Sequence, residues 1–143
     1  MSELSNYLEN ALINATLRAT TYTSPATVYV ALFTTDPTDA NSGTEVTGGG
    51  YARTAVTFGA PSNGVTTNSA DVTFPTATAS WGTVGWIGIN DASTGGPISW
   101  YWNFGDSTGF EGILVTGKLL KDPNTNVVPN VYSYTLAAKV KKI

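Results

Sequence analysis

The chain contains no cysteine and no histidine. The first absence excludes disulfide staples, CxxC redox chemistry and zinc–thiolate sites. The second removes the commonest general base and metal ligand, so no Ser-His-Asp or Cys-His arrangement can form within the chain. Charge is scarce as well: Asp, Glu, Lys and Arg are 12% of the 143 residues, about half the usual share. A net charge of −3 argues against a general nucleic-acid binder. No apolar run approaches the roughly 20 residues of a membrane span. The N-terminus has Glu3 and Glu9 among its apolar residues and no basic segment, so it does not read as a secretion signal. Neither nucleic acid nor membrane is an expected partner.

Threonine is plentiful, at 23 positions, and this β-branched residue favours half-exposed strand faces. A surface of Thr, Ser, Asn and Gly suits packing beside other protein surfaces, as in an extracellular or particle environment. The length is that of one domain, able to bury roughly 68–70% of the surface of its unfolded chain and needing no metal or disulfide to fold. The charge is unevenly placed. From Gly117 onward the net is +4, and the remainder carries −7. That pattern is either an ordinary solvated terminal strand or a basic edge that meets the acidic face of a neighbouring subunit.

One helix is expected, over residues 3–19. Leu4, Leu8, Ala11, Leu12 and Ala15 fall on one face of a 3.6-residue period. Ser2 or Ser5 can cap its start, Glu3 and Glu9 sit towards the positive end of its dipole, and Arg18 falls in its last turn. Pro25 disfavours helix at Ser24. From residue 27 the pattern becomes that of strands: 27–33, 51–58, 69–74, 83–90, 98–104, 111–120 and 131–141, separated by segments such as DPTDANSG, GAPSNG and DASTGGP. These short strands with turn-rich spacers predict a mainly β fold, an antiparallel β-sandwich or jelly-roll-like single domain over 1–143, with the sandwich in 27–143. Trp81, Trp86, Trp100 and Trp102 cluster. Each indole either fills the core or, if exposed, anchors an interface or stacks on a sugar ring.

The candidate chemistry is thin. Asp36, Asp39, Asn41 and Glu45 are oxygen donors suited to calcium, but their spacing is not that of an EF-hand, and Asp-Pro and Asn-Ser-Gly are ordinary turn formers. Asp71, Asp91, Asp106 and Glu111 lie in separate strands or turns, with no spacing that favours the acid pair of a glycosidase. Gly48–Gly50 lack the Gly-Lys-Ser/Thr step of a phosphate loop and open a strand rather than a helix. The glycines therefore read as a sharp turn or bulge. Tyr51 is expected to begin the following strand, with Arg53 on the same face, lying over the Tyr51 ring or reaching Glu45. No catalytic set and no cofactor site emerges, and a non-enzymatic protein is expected.

Four stretches together carry a resemblance: Asn6 to Asn10, Asp36 to Asp39, Gly43 to Arg53 and Trp81 to Gly96. They resemble a family of small tailed-phage virion proteins with the GGGYAR motif, often labelled tail fibre proteins. The likeness runs from about residue 4 to residue 96 and fades beyond Pro97, where only Gly105–Asp106 matches. It implies a structural role in a virion, as a symmetric homo-oligomer. The expectation drawn from it is a capsid decoration, or cement, protein at the capsid surface, a trimer that bridges capsomers and whose partners are the major capsid protein and further copies of itself. The alternative is a tail or tail-fibre component that binds host-surface glycans through exposed tryptophans. Candidate subunit or capsid contacts are Tyr7, Arg53, Lys139, Lys141 and Lys142.

Overall fold

The fold is that of a computed structural model, which describes residues 3–64 and 66–103 and, for their backbone, the strands at 114–117, 134–137 and 139–140. It is built mainly of antiparallel strands with one N-terminal helix. The central sheet has five strands in the order β1 (Glu3–Leu4), β7 (Ile98–Asn103), β6 (Trp86–Asn90), β2 (Val28–Phe33) and β3 (Thr54–Val56). A second sheet pairs β4 (Thr66–Thr67) with β10 (Lys139–Val140), and a third runs β5 (Val72–Thr73), β9 (Tyr134–Ala137) and β8 (Leu114–Gly117).

The middle of the five-stranded sheet is covered on both faces, which explains its unbroken apolar runs. Val30 to Phe33 in β2 and Ile87 to Asn90 in β6 are all buried. One face, with Val30, Leu32, Val56, Ile87 and Ile89, packs against Val72, Phe74, Ala77 and Trp81. The opposite face holds Ala31, Phe33, Ile98 and Tyr101, with Trp86 alongside. Ile98 and Tyr101 are an odd number of residues apart yet share a face. A register shift between β6 and β7 accounts for this: Ile89 pairs with Trp100 and Asn90 with Ile98, so Ser99 is the extra residue of a bulge.

The helix α1 (Asn6–Leu17) is shorter than its apolar period suggests. Leu4 lies in β1, paired with Trp100 across the sheet edge, and Ser5 is the cap. Ser5 Oγ accepts from the Leu8 amide and donates to the Ile98 carbonyl, while Ser5 N–H donates to Ser99 O at 3.0 Å. One serine thus ends a strand, starts a helix and ties both to β7. Arg18 is the C-cap rather than a last-turn residue, its side chain reaching Asn14 Oδ1 at 3.1 Å. Leu8 is buried, whereas Ile13 and Leu17, on the opposite side of the helix, are 51% and 80% exposed. The predicted strand 51–58 is also cut short: regular pairing begins at Thr54, because residues 48–53 are used for a different purpose. No helix among the described residues is long and apolar enough to cross a membrane.

Candidate functional site

Gly48, Gly49 and Gly50 all take positive φ, at 70°, 53° and 76°. A Cβ at each such position costs about 1–2 kcal/mol, so a run of three strongly favours glycine. The turn they make closes on itself, with Tyr51 N–H donating to Gly48 O at 2.9 Å. It also docks. Gly49 O accepts from the Trp81 indole N–H and from the Thr78 amide, each at 2.9 Å. A Cβ on Gly49 would stand 2.8 Å from Ala79 O and 3.0 Å from the Trp81 ring, so the contact requires glycine.

The turn delivers the Tyr51 ring into the core. The ring stacks on Phe74 at 6.1 Å and meets Trp81 edge-on at 5.4 Å. Its hydroxyl emerges beside β2, where it accepts the Leu32 amide at 3.0 Å and donates to Glu45 Oε1 at 2.9 Å. Below that point β3 pairs with Val28 to Val30; beyond it, the segment at Thr44 to Val46 pairs with Leu32 to Thr34. The phenol thus fills one rung of a ladder between two backbone partners. Burial pushes its pKa far above the ordinary tyrosine value, against the opposing Leu32 hydrogen bond.

Arg53 closes the assembly. Nε reaches Glu45 Oε1 at 2.8 Å and Nη2 reaches Glu45 Oε2 at 2.7 Å, a bidentate pair. Nη1 donates to Ala92 O at 2.8 Å and Gly95 O at 2.6 Å. The hydrogen bonds to Glu45 raise the guanidinium pKa further, so it stays charged. Of the two alternatives for Arg53, the structure takes the reach to Glu45. The same side chain pins the Ala92–Gly95 turn, a contact to main-chain oxygens that leaves no mark in a sequence. An open cleft of about 340 Å³ lies over this network, walled by Glu45–Gly48 on one side and Ser93–Gly95 on the other, with Tyr51, Ala52 and Arg53 at its base.

The four candidate calcium donors are each committed elsewhere. Asp36 Oδ1 accepts the Thr38 amide at 2.8 Å, an Asx turn. Asp39 Oδ1 accepts from the Tyr101 hydroxyl and its carbonyl accepts the Asn6 amide, so the loop holds the start of α1. Asn41 reaches Gly96 O at 3.4 Å, and Glu45 belongs to Arg53 and Tyr51. Among the described residues no group of His, Cys, Asp or Glu is arranged to hold a metal. Asp71 is exposed, Asp91 is half-buried, and Asp106 and Glu111 lie outside the described residues.

Of the five candidate contact residues, the structure describes Tyr7 and Arg53 in full and Lys139 by its backbone. Tyr7 stands on α1, 39% exposed. Lys139 pairs with Thr67 through its backbone in β10, and Lys141 and Lys142 lie outside the described residues. Trp81 is buried, and Trp86 and Trp100 are half-buried, Trp100 lining an apolar cleft of about 310 Å³ with Val28, Phe58, Pro61 and Ile89.

The family model described as Podophage GP4 fiber I protein gp80 matches residues 3–112. No curated protein matches the chain.

Proposed function

The chain belongs to the Podophage GP4 fiber I protein gp80 family, and from that premise we propose that it is a structural, non-enzymatic component of a phage tail fibre. It is a phage virion protein of fibre type, and the family match over residues 3–112 carries the reading. That description favours the tail over the capsid surface, so the cement expectation gives way to what was its alternative. The geometry agrees with a structural role. The residues that look most reactive, Glu45, Tyr51 and Arg53, are bonded to one another and to backbone, where they hold loops. The protein acts by burying surface against other virion subunits, further copies of itself included. Cryo-electron microscopy of the particle tests this: density for the chain in the tail supports it, and density confined to the head overturns it.

A further inference from the structure

The apolar cleft of about 310 Å³ opens beside Trp100, on the face of β7 opposite Tyr101. Its walls are Val28, Phe58, Pro61, Thr66, Ile89 and Trp100. The polar side chain among these, Thr66, already donates its hydroxyl to Gly59 O at 2.7 Å. The walls therefore leave a polar ligand nothing to bond, and they favour an aliphatic group that sheds water on entry. The volume lies at the small end of the roughly 300–1,000 Å³ of ligand clefts, a size for side chains rather than for a whole segment of chain.

The same chain carries the matching surface. Among the described residues, the large apolar side chains left exposed are Tyr7, Ile13 and Leu17, all on α1. Glu9, Ile13 and Leu17 stand at i, i+4 and i+8, so an acid and two aliphatic groups follow one another along one exposed face. Arg18, beside Leu17, is already engaged, its guanidinium donating to Asn14 Oδ1 at 3.1 Å. The opposite charge lies next to the cleft. Lys139 pairs with Thr67, one rung from Thr66 in the cleft wall, and from Gly117 onward five lysines face only Asp122 in the charge balance.

We propose that this cleft receives the Ile13–Leu17 face of α1 from a second copy of the chain. Leu17 and Ile13 enter the cleft, and Glu9, one turn or about 5–6 Å further along the helix, lies over the β4–β10 edge where Lys139 stands. Two observations select a second copy: the exposed aliphatic pair belongs to this chain, and the acid beside it matches the basic edge beside the cleft. The contact is heterologous. The start of α1 is held on the Tyr101 face, since Asp39 accepts from the Tyr101 hydroxyl and its carbonyl accepts the Asn6 amide, whereas the cleft opens on the Trp100 face. Each copy thus gives its helix to one neighbour and its cleft to another. Two aliphatic side chains make a smaller contact than the roughly 1,200–2,000 Å² of a standard interface, so free subunits associate weakly and copies held together in a virion gain from repetition.

The inference rests on the fibre reading only for why copies meet at high density. Sedimentation equilibrium of the full chain, from micromolar to millimolar concentration, tests it in solution, and the average mass is expected to rise with concentration. Leu17→Glu charges the helix face and Pro61→Trp fills the cleft, both from exposed positions. Each alone is expected to weaken self-association about tenfold or more, with the melting temperature held. Mixed, the two are expected to form a one-to-one dimer, because the first keeps its cleft and the second its helix. Glu9→Lys is expected to weaken the contact about threefold at low salt, and adding Lys139→Glu to restore it. A monomer at every concentration, self-association unchanged in either folded variant, no dimer from the mixture, or a charge swap that fails to restore the contact overturns the proposal. Self-association of this kind by a protein located on the head would sink the fibre reading alone; a tail location with a monomer in solution would sink this inference alone.

Discussion

Replacing Tyr51 by phenylalanine removes one oxygen and leaves the ring to stack on Phe74 and Trp81 as before. Two groups lose a partner. The amide of Leu32, a residue with no exposed surface, loses its acceptor, and a buried donor left unmatched costs about 1–3 kcal/mol. Glu45 loses a donor but keeps both bonds to Arg53, and water reaches its partly exposed carboxylate, so that loss adds about 1 kcal/mol. The sum is about 2–4 kcal/mol, a fall in Tm of roughly 6–15 °C for a domain of this size. Urea unfolding followed by tryptophan fluorescence should show a lower midpoint with unchanged m, and amide exchange at Leu32 should speed up more than at Val30. A loss below about 0.5 kcal/mol, or Leu32 exchange unchanged relative to Val30, would refute the claim that the hydroxyl serves as a rung of the sheet.

Gly49→Ala should cost about 2–4 kcal/mol, from left-handed strain plus the clash with Ala79 O and Trp81. Gly48→Ala, whose Cβ would meet nothing within 4 Å, should cost only about 1–2 kcal/mol for its φ; equal losses in thermal melts would contradict the docking role of Gly49. Because burial raises the Tyr51 pKa, its contribution to stability is complete below the unfolded value of about 10. It declines as pH climbs past that value, since the unfolded chain releases the proton first. Absorbance titration at alkaline pH should show one tyrosine ionising late or only on unfolding, and this late phase should vanish in Tyr51→Phe. Ser5→Ala removes the cap of α1 and the tie to Ile98 O together and should cost about 1–2 kcal/mol, read as a lower midpoint in denaturant.

Much of the β architecture was legible because its cause is local. The runs at 28–33, 86–90 and 98–103 combine β-branched and aromatic residues with turn formers at their ends, and each forms a strand. Other features depend on partners far along the chain. Leu4 fits a helical period, but the free edge of β7 takes it as a strand, 96 residues from Trp100 in sequence register. Residues 51–53 alternate like a strand, yet the phenol and guanidinium of that stretch bond to Leu32, Glu45, Ala92 and Gly95 in place of a regular ladder. The Glu45–Arg53 pair was within reach of sequence reasoning, since opposite charges flanked a tight turn. The cleft was not, because its second wall is the Ala92–Gly95 turn, positioned by main-chain carbonyls that have no sequence signature.

The phenolic rung on β2 has one more consequence. At Leu32 the carbonyl already accepts the Val46 amide, yet the Leu32 amide meets the backbone of neither β3 nor the Thr44–Val46 segment, and no water reaches a residue so fully buried. A buried donor without a partner would oppose the handover of one strand edge from β3 to the second segment. The Tyr51 hydroxyl supplies that partner from a side chain, so two separate stretches of chain share one edge of β2 without a continuous ladder.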